Sequence, residues 1–197
     1  MTARASGEWI MVMAIAVALC LLSACSTSQS LVQSQNDKQR ASVRRVAETA
    51  LSELYRAKPS ARIAIESSTG YAVFSDYGFR FIFMEDARAM GVAVNNATGQ
   101  ETFMKMVELH PASATNGGKL RLVLVFESEE VFRTFTKSAW FLGPNVMAAA
   151  IPDDRVGPFS GAMELMPGMH VYQLDQGGVL AGFSIRDVMF YKDRELR

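Results

Sequence analysis

Three methionines and a histidine near the C-terminus have the residue types and spacing that could bind a metal ion. Met163, Met166 and Met169 recur every third residue, and His170 follows directly. Soft thioether sulfurs combined with an imidazole suit Cu(I). However, Pro167-Gly168 interrupts any helix that would bring the three sulfurs together, and methionine commonly fills irregular gaps in cores. We therefore expect these residues to pack in the core and bind no metal, with a Cu(I) site as the alternative.

Patterns that would indicate an enzyme are thin in the rest of the chain. The two histidines, His110 and His170, do not have the H-x-x-x-H or H-E-x-x-H spacing of zinc sites. Gly157-Pro158-Phe159-Ser160-Gly161 lacks the spacing of a G-x-S-x-G nucleophile elbow. No phosphate-binding loop with its lysine occurs either. We predict a protein that is not an enzyme and has no cofactor. A small-molecule-binding protein and an enzyme without a recognisable signature are the alternatives.

The first 25 residues have the organisation of an export signal. Arg4 supplies a charged start, and residues 9–22 form an uncharged, mostly apolar run. This run fits the roughly 7–15 residues of a signal peptide and is shorter than the about 20 residues that span a bilayer. Leu22-Ser23-Ala24-Cys25 then resembles the end of a bacterial lipoprotein signal, which implies cleavage after residue 24 and acylation of the Cys25 sulfur. An ordinary cleaved signal peptide and an uncleaved anchor are the alternatives.

Acylation at Cys25 would tether the protein to the bacterial cell envelope without a membrane span. Two or three acyl chains bind a bilayer stably, because each buried methylene contributes about 0.8 kcal/mol. Ser26, and not an aspartate, follows the cysteine. By resemblance to enterobacterial sorting rules, this favours the outer membrane, with the protein facing the periplasm. We expect no nucleic acid among the partners, and the sequence indicates no particular protein partner.

The cysteine count limits the chemistry of the folded part. The chain has 197 residues and two cysteines, Cys20 and Cys25. Removing residues 1–24 from these 197 would leave 173 residues, enough for one domain with a substantial core. Because acylation would use the Cys25 sulfur, the mature chain would contain no free thiol. Disulfides, cysteine-bound zinc and cysteine redox chemistry are therefore excluded from it.

The formal net charge is zero, but basic residues are concentrated early in the chain. Between residues 37 and 62, seven basic residues oppose three acidic ones. Basic side chains near an anionic bilayer gain about 1 kcal/mol each, so we predict that four of them bind lipid: Lys38, Arg40, Arg44 and Arg45. The alternative is a helix docked on a sheet through its apolar stripe. That stripe consists of Val43, Val46, Ala47, Ala50, Leu51, Leu54 and Tyr55.

The periodicity of apolar residues predicts the elements that carry these groups. Residues 25–36 are polar and rich in Ser and Gln, which indicates a flexible linker. Residues 37–57 predict an amphipathic helix, and a second helix is expected at 128–138. The predicted strands are 71–75, 79–84, 91–94, 102–108, 120–126, 140–142, 146–151, 159–166, 169–174, 179–185 and 188–191. This order predicts one α+β domain over residues 37–197, with a largely antiparallel sheet.

Four motifs in this order resemble the SYLF domain family. They are Ala50-Leu51-Ser52-Glu53-Leu54-Tyr55 with Pro59, Gly70-Tyr71-Ala72-Val73-Phe74, Leu122-Val123-Leu124-Val125-Phe126 with Glu129, Phe132 and Phe135, and Gly177-Gly178-Val179-Leu180-Ala181-Gly182-Phe183-Ser184-Ile185. The resemblance covers residues 41–193. It implies a curved antiparallel sheet with helices. It also implies membrane contact, because eukaryotic members of the family bind phosphoinositide membranes through a basic amphipathic N-terminal region. We therefore predict a non-enzymatic module that binds anionic phospholipid or a protein partner.

The chain departs from the family pattern where glycines are expected. Gly78-Phe79-Arg80-Phe81-Ile82-Phe83-Met84 keeps one glycine, and residues 112–118 replace a second Gly-rich stretch. Family properties that need a close backbone approach at these places are not carried over. The actin binding of some eukaryotic members is not carried over either, because the chain has a bacterial type of export signal.

Overall fold

The computed structural model describes residues 5–75, 89–108, 121–143, 149–150, 157–175, 178–179 and 188–196. These residues form three helices and ten strands. The helices are α1 (Ala5–Ala57), α2 (Ser60–Ser67) and α3 (Glu129–Lys137). The strands are β1 (Gly70–Ser75), β2 (Ala89–Asn95), β3 (Glu101–Glu108), β4 (Arg121–Phe126), β5 (Trp140–Leu142), β6 (Ala149–Ala150), β7 (Met163–Met166), β8 (Met169–Asp175), β9 (Gly178–Val179) and β10 (Val188–Lys192). The strand predicted at 79–84 lies outside the described residues.

The described strands belong to a single curled antiparallel sheet. Its order is β5-β10-β3-β2-β1-β4-β8-β7-β6, and β9 pairs with β8 beside this path. Near the centre, Tyr71 of β1 lies opposite Val94 of β2 and Val125 of β4. The predicted α+β fold with a curved, largely antiparallel sheet is therefore confirmed.

One face of the sheet is covered by α1 and α2. Val43, Ala47, Ala50 and Leu54 of α1 are buried in a cluster with Ile65 of α2. This cluster also contains side chains from the sheet, namely Val73, Met90, Val92, Phe103, Val123, Val125, Tyr172 and Leu174. The apolar stripe predicted from the sequence is thus the face by which α1 packs on the sheet. The docked-helix alternative is confirmed for this part of α1.

The opposite face of the sheet is covered by α3. Phe135 of α3 packs against Phe126 of β4 and Phe190 of β10, with ring centroids 4.9 and 5.4 Å apart. At the start of α3 the Ser128 hydroxyl accepts a hydrogen bond from the Val131 backbone N–H, as an N-cap residue does. The helix predicted at 128–138 is confirmed.

Strand β4 runs between these two layers, and all six of its residues are buried. Successive side chains of a strand point to opposite faces. Leu122 and Leu124 accordingly pack in the α3 cluster, and Val123 and Val125 pack in the α1 cluster. The charged residue of β4, Arg121, forms an ion pair with Glu53 of α1, which adds a polar link between this strand and the helix.

The chain divides into two compact units, Met1–Gln39 and Arg40–Arg197. In the first unit Leu31 and Val32 are exposed, and the Gln33 side chain lies 3.4 Å from Asp37 Oδ1. The structure places residues 25–36 in α1, which differs from the flexible linker that the sequence predicts. The physical reason is local. Residues 26–58 contain no glycine or proline, so no residue interrupts the helical backbone.

Candidate functional site

Two of the four basic residues predicted to bind lipid form contacts within the protein. Arg40 Nε donates a hydrogen bond to the Leu196 carbonyl oxygen at 3.2 Å. Arg44 Nη2 lies 2.7 Å from Glu101 Oε2. The Arg44 guanidinium also lies over the Phe103 ring, 5.2 Å from its centroid. Both arginines therefore help to hold α1 on the sheet.

The other two predicted residues, Lys38 and Arg45, are exposed. Within the described part of the chain, neither side chain has a hydrogen bond or an ion pair. Further along α1, Arg56 is exposed as well. Arg45 and Arg56 are 11 residues apart, a spacing of about three helical turns, so they share one face of the helix. This face points away from the apolar stripe and has basic side chains available for an external partner.

A first cavity, which we call the α1 cavity, lies where α1 meets the start of β3. Its volume is about 480 Å³. Arg40 and Arg44 line it from the helix, and Glu101 and Phe103 line it from β3. Lys192 closes the cavity from the end of β10. Because Glu101 neutralises Arg44, this cavity has a mixed charge.

A second cavity, which we call the C-terminal cavity, lies between the end of α3 and the segment 192–195. Its volume is about 510 Å³. Four basic residues and two acidic residues line it, together with Ser138, Ala139 and Tyr191. The basic residues are Lys105, Lys137, Lys192 and Arg194, and the acidic residues are Asp193 and Glu195. The lining thus has an excess of two positive charges.

Lys105 lines the C-terminal cavity and contacts the segment after β10. Its ammonium lies 3.0 Å from Glu195 Oε2 and 3.5 Å from Asp193 Oδ1. Burial of Lys105 opposes its charge, but the hydrogen bond to Glu195 and the charge of Asp193 outweigh this effect, so the pKa of Lys105 is raised. The Asp193 backbone N–H also donates to the Phe103 carbonyl at 2.8 Å. Lys105 is therefore a structural cation.

Asp193 is fully buried and incompletely paired. Its side chain has 0% exposure, and its Oδ1 accepts a hydrogen bond from the Glu195 backbone N–H at 2.9 Å. The second oxygen, Oδ2, is buried and has no hydrogen-bond partner among the described residues. Buried polar atoms without partners are costly in free energy, so Asp193 depends on the Lys105 charge for its stabilisation.

The structure does not bring the methionines and histidine of the sequence analysis together. Met163 and Met169 are buried in the core on the α3 side of the sheet, and Met166 is exposed. His170 is the neighbour of Met169 on β8, and its side chain therefore points to the opposite face. Two of the three methionines thus have the core-packing role that we expected.

His170 has partners of its own. Its Nε2 lies 2.8 Å from Glu127 Oε2, and its ring stacks on Phe159 with a centroid distance of 3.9 Å. The second ring nitrogen, Nδ1, is buried and has no hydrogen-bond partner in the described part of the chain. Among the residues described, no group of three or more His, Cys, Asp or Glu side chains is arranged to hold a metal ion.

The remaining predicted features concern the N-terminal segment. Cys25 falls within α1, but its side chain is outside the described part of the structure, so acylation stays a prediction. In the portion of the chain that the structure covers, no helix has the length and apolar composition needed to cross a bilayer.

Sequence reasoning missed the cations of the C-terminal cavity. Lys137 ends α3, and Lys192 and Arg194 lie at and after the end of β10. The sequence did offer one signal, which is that basic residues lie at the ends of predicted elements. Cations near a helix C-terminus are favoured by the helix dipole. That signal does not say which ends meet in space.

The comparisons with known proteins give one relative and no family assignment. No protein-family model matches the chain. Among curated proteins, the chain is 29% identical over 159 residues to Beta cell expansion factor A from Aeromonas veronii. The match covers 80% of this chain and 58% of the relative, so the chain spans rather more than half of the relative's length.

Proposed function

We propose that this protein is a lipid-anchored component of the bacterial cell envelope whose SYLF-like domain binds anionic phospholipid. The observation that carries this proposal is the outward face of α1. Arg45 and Arg56 project from it, exposed and without an ion pair to any described residue. Each such cation contributes about 1 kcal/mol of attraction near an anionic surface.

The order of the chain supports the same proposal. Unit Arg40–Arg197 begins 15 positions after Cys25. An acyl group on Cys25 would therefore keep the domain near the bilayer. Under that condition, weak electrostatic contacts from α1 would add to the affinity of the anchor, since a tethered contact is effectively intramolecular.

The motifs that resemble the SYLF family also support the proposal. Gly70-Tyr71-Ala72-Val73-Phe74 corresponds to most of β1, and Leu122-Val123-Leu124-Val125-Phe126 corresponds to most of β4. Phe132 and Phe135 lie on the inner face of α3. The fourth motif falls largely outside the described residues.

Intact-mass analysis of the membrane-extracted protein tests the anchor. We expect a mass that starts at Cys25 and includes the added acyl chains. An unmodified N-terminus on protein released without detergent would refute the anchor, but it would leave lipid binding by the domain open to the next test.

Vesicle sedimentation tests lipid binding by the domain. The full chain with Cys25→Ser, which cannot be acylated at this position, should sediment with vesicles containing phosphatidylglycerol and not with phosphatidylcholine alone. Arg45→Glu should weaken binding roughly thirtyfold, because it removes one attraction and adds one repulsion of about 1 kcal/mol each. Lys38→Glu should act in the same direction.

Arg133→Glu is the matched control for Arg45→Glu, because Arg133 is an exposed arginine on α3. The control should leave vesicle binding within about twofold of the unsubstituted chain, given that distant exposed charges are screened over about 10 Å. Equal losses in both variants, or no sedimentation with anionic vesicles at low salt, would refute the proposed contact through α1.

A further inference from the structure

We infer that the C-terminal cavity binds a phosphate monoester through Lys137, Lys192 and Arg194. The site is formed by the end of α3 and the segment after β10. It therefore uses no residue of the outward face of α1, and it does not rest on the proposed function.

Three cations of this cavity are available to a ligand. Lys137, Lys192 and Arg194 are all exposed. No hydrogen bond or ion pair joins their side chains to another residue in the described ranges. Three basic side chains around one concavity repel one another, and a bound anion would remove that repulsion.

The charge of the lining selects the type of anion. Four basic side chains oppose two acidic ones, which leaves an excess of two positive charges. A phosphate monoester has a charge of about −1.5 to −2 at neutral pH, since its second pKa is about 6. A phosphodiester has a single negative charge. An arginine fork together with two lysines is also the donor set that suits phosphate oxygens.

The cavity has room for more than a phosphate group. Its volume of about 510 Å³ lies in the range of roughly 300–1,000 Å³ that is typical of small-molecule clefts. The remaining volume can hold the organic group that carries the phosphate. The ligand class is therefore a phosphate monoester, which is either a soluble metabolite or a lipid headgroup.

Titration calorimetry in about 0.1 M salt, with the full chain carrying Cys25→Ser, tests this site. We expect saturable binding of glycerol 3-phosphate with a stoichiometry near one, and weaker binding of the diester dimethyl phosphate. Lys137→Gln and Arg194→Gln should each weaken glycerol 3-phosphate binding roughly tenfold, the effect of losing one charge-assisted hydrogen bond.

The matched control is Arg133→Gln, which removes an exposed positive charge from α3 outside the cavity. Arg133 lies one helical turn before Lys137 and does not line the cavity, so in about 0.1 M salt its loss should weaken glycerol 3-phosphate binding by less than about threefold, against about tenfold for the lining residues. Thermal melts should shift by only a few degrees in all three variants, because the substituted side chains are exposed and have no partner among the described residues, and Lys137→Gln loses only its weak interaction with the α3 dipole. Absent binding, equal affinity for dimethyl phosphate, or equal weakening in Arg133→Gln would overturn the inference.

Vesicles distinguish the two sources of the phosphate group. A lipid headgroup predicts tighter binding to vesicles with phosphatidic acid than to phosphatidylglycerol vesicles of equal surface charge, and Lys137→Gln should abolish this preference. A soluble ligand predicts no preference, with glycerol 3-phosphate binding retained. Neither result depends on Arg45→Glu, so failure of this site and failure of the proposed bilayer contact are separable.

Discussion

The Arg44 guanidinium of α1 lies against the Glu101 carboxylate of β3, with Nη2 2.7 Å from Oε2 and Nε 3.0 Å from Oε1. This two-point contact joins the helix to the first residue of an inner strand. It also means that a basic residue selected by charge pattern alone can belong to the fold and not to a ligand site.

Loss of this ion pair should reduce stability modestly. We expect Arg44→Gln to lower the free energy of unfolding by about 1 kcal/mol, because the pair is partly exposed and the stacking on Phe103 is lost with it. Arg45→Gln, one position away and without a described partner, should change stability by less than about 0.5 kcal/mol. Urea denaturation of both variants measures the difference, and equal effects would contradict the role assigned to Arg44.

Removal of the Lys105 charge should lower the free energy of unfolding by more than the loss of the Arg44 ion pair does. Lys105→Met leaves the buried Asp193 carboxylate without its counter-charge, and breaking a buried pair from one side costs about 3–5 kcal/mol. The Lys105 side chain retains 13% exposure, so we expect a loss near the lower end, about 3 kcal/mol. Urea denaturation of this variant gives the value.

The double variant Lys105→Met/Asp193→Asn is the control for the charge effect. It removes both charges, and it should recover part of the stability that the single variant loses. If the two side chains do not interact, the costs of the two substitutions add. The double variant would then be less stable than Lys105→Met by the full cost of Asp193→Asn, which would contradict the coupling.

Stability should fall in alkaline solution. The pKa of Lys105 is raised by its acidic partners, and burial raises the pKa of Tyr172. A group whose pKa is higher in the folded state contributes stability below its unfolded pKa and loses that contribution as pH rises through the folded pKa. The unfolded values are about 10.4 for lysine and 10 for tyrosine, so the loss should begin near pH 10.

Thermal melts between pH 8 and about pH 12 would measure this loss. The fall in Tm with pH should be shallower in Lys105→Met and in Tyr172→Phe than in the unsubstituted chain. Parallel curves in all three proteins would show that neither group is responsible.

Gly91 is required by the packing of Phe74 across the sheet. The two residues are opposite each other in β2 and β1. A Cβ atom on residue 91 would lie 2.5 Å from Phe74 Cδ1 and 2.5 Å from the Val73 carbonyl oxygen. We expect Gly91→Ala to destabilise the protein by about 1–3 kcal/mol through overpacking, as measured by urea denaturation.

Gly157→Ala is the control for this substitution, because a Cβ atom there meets none of the described residues within 4 Å. It should be neutral or slightly stabilising, since alanine restricts the unfolded chain. A cost at residue 157 equal to that at residue 91 would point to loss of glycine in general and not to contact with Phe74.

Much of the fold was predictable because the central strands are short apolar runs bounded by turn residues. β1 and β4 are buried almost throughout and are rich in β-branched and aromatic residues. The strands predicted at 71–75, 102–108 and 120–126 match β1, β3 and β4 within one residue. Short strands such as β6 and β9, with two residues each, have too few positions to show a period. Their pairing depends on neighbours and not on local sequence.

The candidate sites were less predictable, because they too depend on which strands are neighbours and not on local sequence. Lys137 and Lys192 line one cavity because β10 pairs with β3 and β5 in a particular register, with Lys192 opposite Met104 and Phe190 opposite Trp140. Register across a sheet is set by tertiary packing. In contrast, the outward position of Arg45 follows from helical spacing alone, so sequence reasoning could select it.

Among the described residues, the path of the sheet begins at β5, which has three residues. Ala139 and Gly143 on either side of it belong to no strand. This border offers the strand of another molecule few backbone donors and acceptors, so it is a poor place for edge-to-edge growth into fibrils.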